Sequence, residues 1–140
     1  MATETRPWTE EASRLLLRFA VGGLMLFHGI SKIRHGVDYM FPLLEAKGLP
    51  IRMAYASYIG EVVAPLLILA GVLSRLASLV VAGTMVMAVY LALESQVFAL
   101  NQYGGWAIEL NVFFFLGAIA IALLGPGRFS IRQGGNWWLE

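Results

Sequence analysis

Trp106-Ala-Ile-Glu-Leu-Asn-Val-Phe-Phe-Phe-Leu-Gly-Ala-Ile-Ala-Ile-Ala-Leu-Leu-Gly-Pro-Gly127 holds one charged side chain, Glu109, about one turn inside its first end. A run of that length with a single carboxylate is the signature of a membrane-spanning helix, here about 106–124. Gly125-Pro126-Gly127 then ends it, because proline and paired glycines do not continue a helix. An ionisable group at membrane depth is a candidate functional residue, so the reading turns on what Glu109 faces.

Outward from that stretch, three earlier apolar runs repeat the pattern. The first span covers about 12–33, with Arg14 and Arg18 near its entry and His28, Gly29 and Lys32 near its exit. The second, about 54–73, contains Glu61 with Pro65 one turn later, and proline removes a backbone donor and can kink the helix there. The third, about 76–94, carries Ser78, Ala82 and Gly83, small enough for close helix approach, and ends at Tyr90 and Glu94. The short link from Gly71 to Arg75 makes spans two and three antiparallel neighbours. Residues 34–53 are too apolar for a plain turn. Tyr39 to Leu44 and then Glu45 to Pro50 suggest a short interfacial or re-entrant helix that Pro50 stops. Residues 1–11 lack the basic start and cleavage pattern of a signal peptide and read as an aqueous tail, and Trp137-Trp138 read as interface anchors. The expected fold is therefore an all-α membrane protein: one four-transmembrane-helix domain over residues 1–140, with that short helix between spans one and two.

Composition agrees. Hydrophobic residues make up 59% of the chain and charged residues 14%, and mean hydropathy is +0.71. A soluble fold of this size could not bury so much apolar surface, so the lipid bilayer is an expected partner. A net charge of +1 offers no footprint for nucleic acid. The chain has no cysteine, which excludes thiol relays, thioether-linked haem and thiolate metal sites. With only two histidines and no close carboxylate–histidine pair, no metal site is expected.

Four spans put both termini on one side. That side holds Arg6, Arg14, Arg18, Arg75, Arg128 and Arg132, and the opposite side holds Lys32, Arg34, Lys47 and Arg52. The surplus of basic residues assigns the termini to the cytoplasm. Depth then brings the polar residues together. His28 and Lys32 fall in the outer third of span one, Glu61 roughly 10 Å into span two at 1.5 Å per residue, Tyr90 at the outer end of span three, and Glu109 and Asn111 at the outer start of span four. A carboxylate in hydrocarbon needs a cation, a proton or water. His28 and Lys32 share one helix face. The expected arrangement is a partly hydrated pocket of His28, Lys32, Glu61, Tyr90, Glu109 and Asn111, with Lys32 bridging Glu61 and Glu109. Arg18 lies apart on the inner half, as a structural charge that either pairs within the bundle or reaches the inner phosphates.

The alternative for each residue is structural. Glu61 and Glu109 would lock helices through ion pairs, His28 and Tyr90 would pack, Lys32 would snorkel to headgroups, and Glu94 would be a solvated helix end.

The chain resembles the DoxX family from about Ala12 to Arg132. The resemblance is carried by Arg18 with Gly22-Gly23, His28-Gly29 and Lys32, Gly48-Leu49-Pro50, Gly60-Glu61, Gly71, Ser74-Arg75, Gly104-Gly105-Trp106, Glu109, Gly125-Pro126-Gly127 and Ser130. It implies a four-helix integral protein of the bacterial inner membrane, similar to the small membrane subunit of thiosulfate:quinone oxidoreductase. From it follows the expectation of a membrane subunit in a quinone-linked oxidoreductase system, with an outer-half pocket for a quinone-like or small amphiphilic ligand. No cofactor is expected to be covalently bound, and the catalytic residues stay unassigned, since no independent catalytic motif is present. A soluble or membrane oxidoreductase subunit is the expected partner. Two alternatives remain: a non-enzymatic scaffold, anchor or assembly partner, and a small carrier, which would require a homo-oligomer because four spans are few for a path.

Overall fold

The computed structural model describes residues 7–131. Among these, five helices carry the architecture: α1 (Trp8–His35), α2 (Phe41–Ala46), α3 (Ile51–Ala70), α4 (Ser74–Gln96) and α5 (Glu109–Leu124). The helices α1, α3 and α4 are long and apolar enough to cross a membrane. The fourth apolar helix, α5, has 16 residues, or roughly 24 Å at 1.5 Å each. No strand is formed among the described residues; a single bridge joins Leu100 and Trp106. Arg6, Arg132, Trp137 and Trp138 lie outside the described residues.

Each boundary has a local cause. The α3 helix stops at Ala70, short of the expected 73, because Gly71 turns left-handed (φ 74°) and its N–H closes on the Ile68 carbonyl. The α5 helix starts at Glu109, three residues later than expected. Asn101 Oδ1 accepts from the Tyr103 and Gly105 N–H groups, and Trp106 Nε1 donates to the Val97 carbonyl at 2.6 Å, so a tight loop uses up Trp106 to Ile108.

The three long helices each contain a π turn, at Phe19–Gly23, Ile59–Val63 and Val89–Leu93. In α3 its cause is legible. Pro65 has no N–H for the Glu61 carbonyl four residues back, and the Ala64 N–H reaches the Ile59 carbonyl five residues back. The turn thus forms at Glu61 itself.

The core between the long helices is built from Val21 and Met25 of α1, Ala64 and Ile68 of α3, Val81 and Met85 of α4, and Phe114, Ala118 and Ile121 of α5. Small residues set the spacing. Ser78 and Ala82 are buried in the seam as expected, whereas Gly83 has no neighbour within 4 Å of a Cβ position and borders a cavity instead. The closest approach to a neighbouring backbone is at Gly29, where a Cβ would stand 2.1 Å from the Glu61 carbonyl oxygen. Gly29→Ala is therefore expected to push α1 away from α3 and lower stability by about 1–3 kcal/mol, measurable by thermal unfolding in detergent. A second cluster, Val37, Leu44, Ala54 and Leu91, packs α2 onto the ends of α1, α3 and α4. Facing outward are Phe19, Leu24, Phe27, Val63, Leu66, Leu79, Phe113 and Leu116, an apolar surface suited to lipid.

Candidate functional site

Lys32 and Glu61 meet where α1 passes the π turn of α3. Lys32 Nζ donates to Glu61 Oε1 at 2.5 Å, with side-chain exposures of 13% and 6%. Two features place them there. Gly29, one turn before Lys32, permits the close crossing, and Tyr58 donates its hydroxyl hydrogen to the Lys32 carbonyl at 3.1 Å. The second carboxylate oxygen, Glu61 Oε2, is buried and has no hydrogen-bond partner. An unsatisfied buried acceptor on an ionised group is costly, so this atom calls for a donor.

Three cavities converge on Lys32. A chamber of about 210 Å³ is bordered by Met25, His28, Lys32, Glu61, Asn111 and Phe114. A larger one, of about 320 Å³, runs under α2 and borders Lys32, Glu61, Leu44, Ser57, Thr84 and Leu91. The third, of about 180 Å³, is a polar vestibule of His28, Ser31, Lys32, His35 and Tyr39. Lys32 borders all three, whereas Glu61 borders the two larger ones and not the polar vestibule. His28 stands edge-on to Phe114 with ring centres 5.9 Å apart, and Asn111 Nδ2 lies 3.9 Å from Met85 Sδ.

Four of the six expected pocket residues (His28, Lys32, Glu61 and Asn111) therefore surround one chamber. Two do not. Glu109 is the exposed first residue of α5, its carboxylate folded over Gly105, where a Cβ would meet Oε2 at 2.6 Å. Its position there is favourable for an anion at a helix N-terminus, and Lys32 makes no bridge to it. Tyr90 is 44% exposed and lies beneath Lys47 Nζ, 4.5 Å from its ring centre. The same Lys47 bonds Glu94, so Glu94 is paired and closes a latch between the end of α2 and α4. The Lys47 pKa is raised, first by that hydrogen bond and then by the Glu94 charge, with desolvation opposing. The latch is complete below the ordinary lysine value of 10.5 and opens as pH rises through the raised one. At neutral pH Lys47→Ala is expected to speed amide exchange in α2, and the unmodified protein to approach the variant, relative to the intrinsic base-catalysed rise, as the lysine loses its proton.

Residues with no obvious mark in the sequence complete the site: Thr84 and Ser57 in the larger cavity, and Tyr39, His35 and Phe114 around the smaller ones. At the opposite end, Arg18 is 2% exposed and donates to four main-chain carbonyls. Nε reaches Ile68 at 2.8 Å, Nη2 reaches Leu69 at 2.5 Å, and Nη1 reaches Pro126 at 3.0 Å and also Phe129. It thereby caps the last turn of α3 and ties down the chain beyond α5, pairing within the bundle rather than reaching out to phosphates. Arg14 donates to the Leu124 carbonyl and to Glu10, and Arg75 to those of Ala122 and Leu123, so two further arginines cap α5.

No curated protein and no solved structure matches the chain. The family model described as DoxX matches residues 13–94, which include Arg18, Lys32 and Glu61 and end before α5; the chain belongs to the DoxX family.

Proposed function

We propose that this protein is the integral membrane subunit of a quinone-linked oxidoreductase system, with the Lys32–Glu61 chamber holding a quinone head group. One observation carries the reading: Glu61, a buried carboxylate whose Oε2 has no hydrogen-bond partner, borders a chamber where Lys32, His28 and Asn111 converge with Met25 and Phe114. The two cavities that share the pair, about 210 and 320 Å³, approach the size range of small-molecule sites, with few and convergent polar groups. A quinone supplies a two-electron, two-proton acceptor there. Lys32 and Asn111 would donate hydrogen bonds to ring oxygens, Phe114 and Met25 would contact the ring, and Glu61 would hand over protons drawn from the His28–His35 vestibule. Electrons would come from a partner oxidoreductase subunit, since this chain has no cysteine.

The reading includes four crossings, with α5 as the short fourth, α2 in the interfacial layer, and both termini in the cytoplasm of a bacterial inner membrane. Arg14, Arg18, Arg75 and Arg128 gather at the end that would face inward, in keeping with the basic-residue rule. The natural absence of cysteine makes the topology easy to test. Single cysteines at Tyr103 and Ser130 are expected to be labelled from opposite sides.

The test of function is binding. Protein in lipid nanodiscs is titrated with a short-tailed benzoquinone, and quinone in the purified material is assayed. Saturable binding that Glu61→Gln weakens at least tenfold supports the reading. Binding no stronger than to empty nanodiscs overturns it and leaves the scaffold reading, in which the ion pair only joins α1 to α3.

A further inference from the structure

A cleft of about 240 Å³ opens between α4 and α5, bordered by Met85, Val86, Val89, Asn111, Val112 and Phe115. It lies on the lipid-facing side, for Val86 is 57% exposed and Phe113 and Leu116 beside it are 66% and 59% exposed. Met85 and Asn111 border both this cleft and the polar chamber, so these two side chains are the wall between them. The wall is weakly held. Asn111 Nδ2 faces Met85 Sδ at 3.9 Å, and a thioether is a poor acceptor on an unbranched chain with several rotamers.

We propose that this cleft is the lateral entrance to the chamber and the seat for the apolar tail of a bilayer-borne ligand, with Met85 and Asn111 as its gate. The inference rests on the chamber being the head-group site. The two ends of the system differ in chemistry and so orient an amphiphile. The cleft offers aliphatic and aromatic carbon, the far side of the chamber offers Lys32, Glu61 Oε2 and the His28–His35 vestibule. A ring oxygen arriving from the cleft is a better acceptor for Asn111 than sulfur, and accepting that bond releases Met85 to swing aside. The larger cavity is a poorer entrance, because α2 covers it, its buried Leu44 clustered with Leu91 of α4.

The experiment uses the full chain in nanodiscs and two probes: a benzoquinone with a decyl tail carrying a photoreactive diazirine, and the same ring without a tail. Expected are cross-links on the Val86–Val89 and Val112–Phe115 segments that excess tail-less quinone suppresses. Val112→Phe, which fills the cleft, is expected to weaken the tailed probe at least tenfold and the tail-less one less than twofold. Val86→Phe, at a lipid-exposed position that tolerates bulk, gives the same selective loss without risk to folding. Cross-links spread over all lipid-facing positions and unaffected by competition overturn the entrance, as does equal weakening of both probes. If the tail-less quinone fails to bind the unmodified protein, the head-group reading falls and the entrance with it.

Discussion

Arg18→Met is expected to be the most damaging single change in the protein, lowering stability by about 3–5 kcal/mol, since hydrogen bonds to a charged donor are worth about 1.5–3 kcal/mol each and stranded acceptors cost similar amounts. The guanidinium joins the Ile68 and Leu69 carbonyls to those of Pro126 and Phe129, so four acceptors lose their donor at once. Arg18→Lys keeps the charge but not the planar fork, and it too is expected to lose most of the stability. Thermal unfolding in detergent checks the size of the effect. Proteolysis checks its location: the chain after Gly125 is expected to become the first site of cleavage. A variant of near-normal stability would show that water replaces the guanidinium without loss.

The second large effect concerns the ion pair. Glu61→Gln leaves the Lys32 ammonium largely buried with no counter-charge, and breaking such a pair from one side costs about 3–5 kcal/mol. Replacing both partners with apolar residues of similar volume is often neutral or stabilising. The double variant Glu61→Leu/Lys32→Met is therefore expected to regain most of the stability that Glu61→Gln loses. It is not expected to regain quinone binding. A double variant that recovers both would reduce the pair to a structural link; one that recovers stability alone separates holding the helices together from holding a ligand.

The number and order of the apolar helices were legible in the letters because lipid imposes long runs with few charges. The Lys32–Glu61 meeting was legible too, since both lie at the same depth on adjacent spans and a buried carboxylate demands a cation. Glu109 was misplaced because its depth was counted from Trp106. The Asn101 turn and the Trp106–Val97 hydrogen bond withdraw those residues from the helix and leave the carboxylate at its first position. Tyr90 sits within a π turn, which rotates its face away from the chamber, and no residue type announces that turn as Pro65 does in α3. The partners of Arg18 were invisible for a different reason. They are main-chain carbonyls, which every residue has.

The π turn at Phe19–Gly23 lies between the two ends of α1 that do different things, Arg18 at one and His28 with Lys32 at the other. A π turn accommodates one residue more than the α-helical path it replaces, and one residue is about 100° of rotation at 3.6 per turn. Winding the same residues as regular α-helix would swing the lysine a quarter-circle or more off its carboxylate, while the arginine stayed in its socket. The bulge takes up one residue and so keeps the two ends of one rod in phase, and deleting that residue together with the bulge would leave both contacts in place.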